Sequence, residues 1–72
     1  MSPEKMVMMA NQIATFFASQ PGEGQAGKVA AHINDFWEPR MRAQLLEHAE
    51  AGGEGLHPLV LEAIGEIRAP AE

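Results

Sequence analysis

The sequence predicts an all-α fold, a small single domain of about four short helices spanning residues 1–72. Apolar residues recur at spacings of three and four in four separate stretches. Proline or glycine stands between successive stretches, and no segment alternates apolar and polar residues with the period of a strand.

The first helix begins at Ser2-Pro3-Glu4, which supplies a capping hydroxyl, a proline suited to the first helical position and an acid near the positive end of the helix dipole. Met6, Met9, Ala10, Ile13, Phe16 and Phe17 then form its inward face. It runs to about Ser19 or Gln20, because Pro21-Gly22 cannot continue it. A second helix covers Lys28 to Trp37, with Val29, Ala30, Ile33, Phe36 and Trp37 on one side. Glu38 precedes a proline and is pushed to extended geometry, so the chain turns and restarts as a third helix with Met41, Leu45, Leu46 and Ala49 inward. Gly52-Gly53 ends that helix in the left-handed conformation that glycine tolerates. The fourth helix starts near Pro58, carries Leu59, Val60, Ala63, Ile64 and Ile67 and stops before Pro70, leaving Ala71 and Glu72 to fray. With such short connections, sequential helices are expected to be neighbours, the second and third crossing steeply.

A chain of 72 residues makes one small core, of a size that supplies only about 3–5 kcal/mol. Without cysteine it has no disulfide to brace that core, which makes a partner the expected source of added stability. At 46% hydrophobic and 21% charged, the composition is that of a folding chain, not a disordered one. Five Lys and Arg against ten Asp and Glu give a net charge of −5, which excludes the clustered cations of a nucleic-acid binder. No cationic leader with an apolar run and no membrane-length apolar segment is present, so the expected location is the cytoplasm.

Gly22 to Lys28, GEGQAGK, fits the spacing of two phosphate-binding patterns. Both need a strand feeding the loop, and here a helix precedes it; Val29 also occupies the place of the magnesium-ligating Ser or Thr. The segment reads as a helix connector. His32, His48 and His57 lack a zinc spacing and are expected on the surface or at caps, with His32 and Asp35 close enough on one helix to pair. The only hydroxyls, Ser2, Thr15 and Ser19, all fall in helix one without a base, so no enzymatic activity, cofactor or metal site is expected in this chain.

The most informative stretch is HINDFWEPRMR, His32 to Arg42. Adjacent helical residues point about 100° apart, so one thin core does not cover both Phe36 and Trp37, and the doublet Phe16-Phe17 poses the same problem. Pro39 at the first helical position puts Arg40 and Arg42 in the first turn, where the dipole disfavours cations by about 0.3–1 kcal/mol each. Either Asp35 and Glu38 compensate them within the chain, or acidic groups of a partner do. Met8 lies off the main apolar stripe, unlike Met6, Met9 and Met41. An apolar patch that docks a partner is expected, and such patches often pair with copies of themselves when the true partner is absent.

MANQIATFF (Met9 to Phe17), HINDFWEPRMR and GGEGLHPLV (Gly52 to Val60), in this order and covering about Lys5 to Ile67, resemble the delta subunit of soluble NAD-dependent, molybdenum-containing formate dehydrogenases. The resemblance implies a non-catalytic accessory subunit of a bacterial complex, docked on a catalytic alpha subunit that carries molybdenum bis-molybdopterin guanine dinucleotide and iron–sulfur clusters. Beta and gamma subunits would pass electrons through FMN to NAD. Trp37, Pro39, Arg40 and Arg42 match the most recognisable block, and Asn11 and Gln12 the first. Together with Phe36 and Phe17 these are the expected partner-binding residues. The family commonly has Asp before the proline of the last block, where this chain has His57, a weaker cap for helix four. Two other functions fit the same surface: a maturation factor that assists molybdenum cofactor insertion and then leaves, and a free-standing helical interaction module.

Overall fold

The computed structural model describes residues 2–70, which form four α-helices without a strand. The predicted fraying of Ala71 and Glu72 lies outside the described residues. Helix α1, Pro3–Ala18, opens as the sequence dictates: Ser2 Oγ accepts from the Lys5 amide at 3.2 Å and proline takes the first position. At its other end the Ser19 hydroxyl donates to the Phe16 carbonyl at 2.7 Å. The fully buried stripe of α1 is Met6, Ala10 and Ala14, one residue per turn, two of them small enough to let other helices approach closely. Met9, Ile13 and Phe17 form a parallel, half-buried stripe beside it. Phe16, expected inward, is instead 58% exposed, because the Met6-Ala10-Ala14 stripe faces the core and leaves only Phe17 of the doublet beside it.

Helix α2, Gln25–Phe36, begins three positions before the expected Lys28. Gly24 supplies a left-handed N-cap (φ +78°), and the Gln25 side-chain amide donates to the Gln20 and Gly22 carbonyls, closing the connector on itself. Val29, Ala30, Ile33 and Trp37 are buried, making α2 the central element, packed on both α1 and α4. Phe36, predicted on the same face, is 73% exposed.

Helix α3, Pro39–Glu50, follows the extended Glu38 joint (ψ 153°) and buries Leu45. It packs chiefly on α1, so the expected adjacency of successive helices holds for α1 and α2 but not for α3. The extended joint carries the chain away from α2 before the helix restarts. Gly52 (φ +121°) and Gly53 (φ +66°) then turn the chain in the left-handed conformation that favours glycine; a Cβ on Gly53 would also come within 2.8 Å of Leu61 Cδ2 and displace that side chain.

Helix α4, Pro58–Ala63, is only six residues long and passes through a 3-10 turn, Ile64–Glu66, into extended chain at Ile67. The sequence pattern had continued the helix to near Pro70. The α-helical pattern is already lost at Ile67, whose amide donates to the Ile64 carbonyl at 3.2 Å, and just beyond this 3-10 turn the Arg68 amide donates to Asn34 Oδ1 at 2.8 Å. Leu56, Val60, Ala63 and Ile67 close the core from this side.

His57 caps α4 in spite of its weak standing as a cap: its Nδ1 accepts from the Leu59 amide at 3.0 Å. The expected doubt about this helix start is therefore resolved by the imidazole acting as the acceptor, with Pro58 at the first helical position.

Candidate functional site

Each aromatic doublet divides between inside and outside. Trp37 is 7% exposed and belongs to the core, which leaves Phe36 as the ring presented to solvent. In the other doublet Phe17 packs against the core while Phe16 stays out. The outward rings are continuous with one another. Phe16 and Phe17 meet edge to face at 5.1 Å between centroids and Phe17 and His32 likewise at 6.2 Å, while His32 and Phe36 lie tilted to one another at 4.7 Å. His32 and Phe36 are one helical turn apart, so α2 places them on a single stripe facing the Met9-Ile13-Phe17 stripe of α1.

Between these stripes runs an open apolar groove of about 490 Å³, lined by Met9, Gln12, Ile13, Phe16, Phe17, His32, Phe36 and Trp37. No carboxylate and no ammonium or guanidinium contributes to the lining, although charged residues make up 21% of the chain. The only groups there able to form a hydrogen bond through a side chain, apart from the buried indole, are Gln12 and His32. Exposed aromatic area with so little polarity is the composition of the centre of a protein–protein contact.

Of the residues expected to bind a partner, Gln12, Phe17, Phe36 and Trp37 converge on this groove. Pro39 and Arg40 are exposed at the start of α3, outside its lining. Asn11 and Arg42 are engaged within the chain. Asn11 Nδ2 donates to the Gly55 carbonyl at 2.9 Å while its Oδ1 accepts from the His57 amide at 2.8 Å. Arg42 donates through Nη1 to the Trp37 carbonyl at 2.9 Å and through Nε to the Arg68 carbonyl at 3.0 Å.

Among the described residues the first-turn Arg42 is thus bonded to main-chain carbonyls and not to Asp35 or Glu38. The carbonyl at the C-terminal end of α2, the negative end of that helix dipole, takes it up. His32, expected to pair with Asp35, has ring contacts to Phe17 and Phe36 instead. His48 lies away from the groove and its Nε2 donates to the Glu54 carbonyl at 2.8 Å.

Sequence reasoning missed Met9, Ile13, Phe16 and His32 as lining residues. The signals were present as the four-residue repeats Met9-Ile13-Phe17 and His32-Phe36, but both had been assigned to core or surface one helix at a time.

Among the described residues no three histidine or acidic side chains gather where they could hold a metal ion, and none of the helices there is long and apolar enough to cross a membrane. Of the GEGQAGK segment, Gly22 to Gly24 lie in the connector from α1 and Gln25 to Lys28 form the first turn of α2, with Lys28 exposed on the helix surface.

No curated protein sequence matches the chain. The family model of the NADH-dependent formate dehydrogenase delta subunit, FdsD, does match, over residues 5–64. That span contains all four helices apart from the first two residues of α1, and with them the whole groove. The chain belongs to the family of NADH-dependent formate dehydrogenase delta subunits.

Proposed function

We propose that this chain is a non-catalytic accessory subunit that docks through the α1/α2 groove on the catalytic alpha subunit of a formate dehydrogenase and stabilises the assembled complex. The observation that carries this reading is the row Phe16, Phe17, His32 and Phe36: an apolar surface that a 72-residue chain leaves open to solvent when its own core is already closed by Trp37. Burying such rings on assembly removes them from water at about 25 cal/mol per Å².

Family membership supports a place beside other formate dehydrogenase subunits. In this reading the molybdenum cofactor, iron–sulfur clusters, FMN and NAD are held by the alpha, beta and gamma subunits. The chain has no cysteine with which to hold a cluster, and its described residues do not fit a metal centre.

The test is copurification of the tagged enzyme from cells that express either the native chain or the double variant Phe16→Ala, Phe36→Ala. Native chain retained at one copy per alpha subunit in active enzyme, and double variant lost from it, is the expected result. Native chain found only on enzyme that lacks molybdenum cofactor would replace the structural role with that of a maturation factor. Retention of the double variant at full stoichiometry would move the docking surface elsewhere.

A further inference from the structure

The groove has one group that can form a directed polar contact from within the aromatic row, and it is unused. His32 is half-buried between Phe17 and Phe36, with ring contacts on both sides, and its imidazole forms no hydrogen bond or ion pair among the described residues. One turn earlier on the same stripe, the exposed Lys28 ammonium is likewise without an ion pair.

The charges facing His32 are few. From α1, across the groove, the lining residues are Met9, Gln12, Ile13, Phe16 and Phe17, all uncharged. On its own helix Lys28 lies one turn before it and Asp35 one turn after it, both exposed and neither in the lining of the groove. Although the chain is acidic, with ten carboxylates against five cations, none of the carboxylates among the described residues lines this groove, and the one basic group in its lining is His32.

From this placement, and resting on the docking reading above, we infer that the groove receives an amphipathic helix of the partner that brings a carboxylate to His32, within reach of Lys28, while its apolar side chains pack between Phe16 and Phe36. A helix is the form that fits, since two helices bound the groove and the described residues offer no sheet edge to pair with a strand. The carboxylate is the chemistry that complements a surface depleted of acids and edged by an imidazole and an ammonium. A second copy of this chain is the poorer occupant, because two molecules of net charge −5 repel.

The experiment measures binding of the full chain to formate dehydrogenase purified without it, by calorimetry between pH 8 and pH 6. Native chain should bind about tenfold more tightly at pH 6, because a charge-assisted bond between histidine and a carboxylate is favoured by acid. His32→Gln, which keeps a donor without a titrating charge, should abolish that pH step while leaving the fold and the helical spectrum unchanged. Lys28→Gln should weaken binding and flatten its dependence on salt. Phe36→Ala should weaken binding at every pH.

Loss of binding in Phe36→Ala together with an unaltered pH step in His32→Gln would overturn the carboxylate contact and leave the docking groove standing. Undiminished binding in Phe36→Ala and in Phe16→Ala would overturn the groove itself, and this inference with it.

Discussion

Asn11 and Asn34 hold the two ends of α4 in the same way. Each side-chain amide bonds the main chain twice at positions two residues apart, Asn11 to the Gly55 carbonyl and the His57 amide, Asn34 to the Glu66 carbonyl and the Arg68 amide. A helix of six residues is too short to stand alone, and these two clamps, one from α1 and one from α2, brace the chain just before α4 and just after the 3-10 turn that follows it. The Asn11 match to the delta-subunit pattern thus has a structural explanation inside the chain.

Replacing either asparagine by alanine should destabilise the domain by about 1–2 kcal/mol, since each change leaves a carbonyl and an amide without their partners. Asn11→Asp should fall between, keeping the acceptor for His57 and losing the donor to Gly55. Thermal melting measures the cost, and hydrogen exchange should show the α4 amides losing protection first.

Trp37 and Phe36 should separate stability from assembly. Trp37→Ala removes a core ring and should cost about 3–5 kcal/mol, enough to unfold most of a domain this small. Phe36→Ala should change the melting temperature of the free chain little, while weakening assembly by about 2 kcal/mol if the ring is an anchor. Equal melting temperatures for the two variants would contradict the core placement of the indole.

The two arginines of α3 should behave differently. Arg42→Ala should cost the free chain about 1–3 kcal/mol, because the guanidinium ties the end of α2 to the C-terminal segment through two carbonyls. Arg42→Lys should recover little of this, since an ammonium does not reproduce the planar two-point geometry. Arg40→Glu should leave stability unchanged or raise it by a few tenths of a kcal/mol, an acid being favoured in the first turn of α3. Urea denaturation of the three variants measures the difference.

At the start of α4, His57→Ala should cost about 0.5–2 kcal/mol by removing the acceptor for the Leu59 amide. His57→Asp should restore the cap and add a favourable charge at the helix N-terminus, making the domain at least as stable as the native chain at pH 7. A melting temperature for His57→Asp below that of His57→Ala would show that the imidazole contributes through packing and not as a cap.

The local rules of the chain were sufficient for its elements. Ser2-Pro3, Pro39, Gly52-Gly53 and Pro58 start or stop helices through their own backbone preferences, so all four helices were legible without knowing what they touch, and the family pattern in Met9–Phe17, His32–Arg42 and Gly52–Val60 was legible with them. Tertiary structure decided what a periodicity of three and four cannot: how far each helix is rotated about its axis. On α1 the alanines at positions 10 and 14 admit a closer neighbour than a phenylalanine does, so the core took the alanine stripe and turned Phe16 outward. On α2 the indole filled the core and turned Phe36 outward, and Asn34 took up the Arg68 amide beyond the 3-10 turn that follows α4. The groove exists only because those two rotations bring Met9, Ile13 and Phe17 opposite His32 and Phe36. It is a property of two helices packed together, which no single stretch of sequence contains.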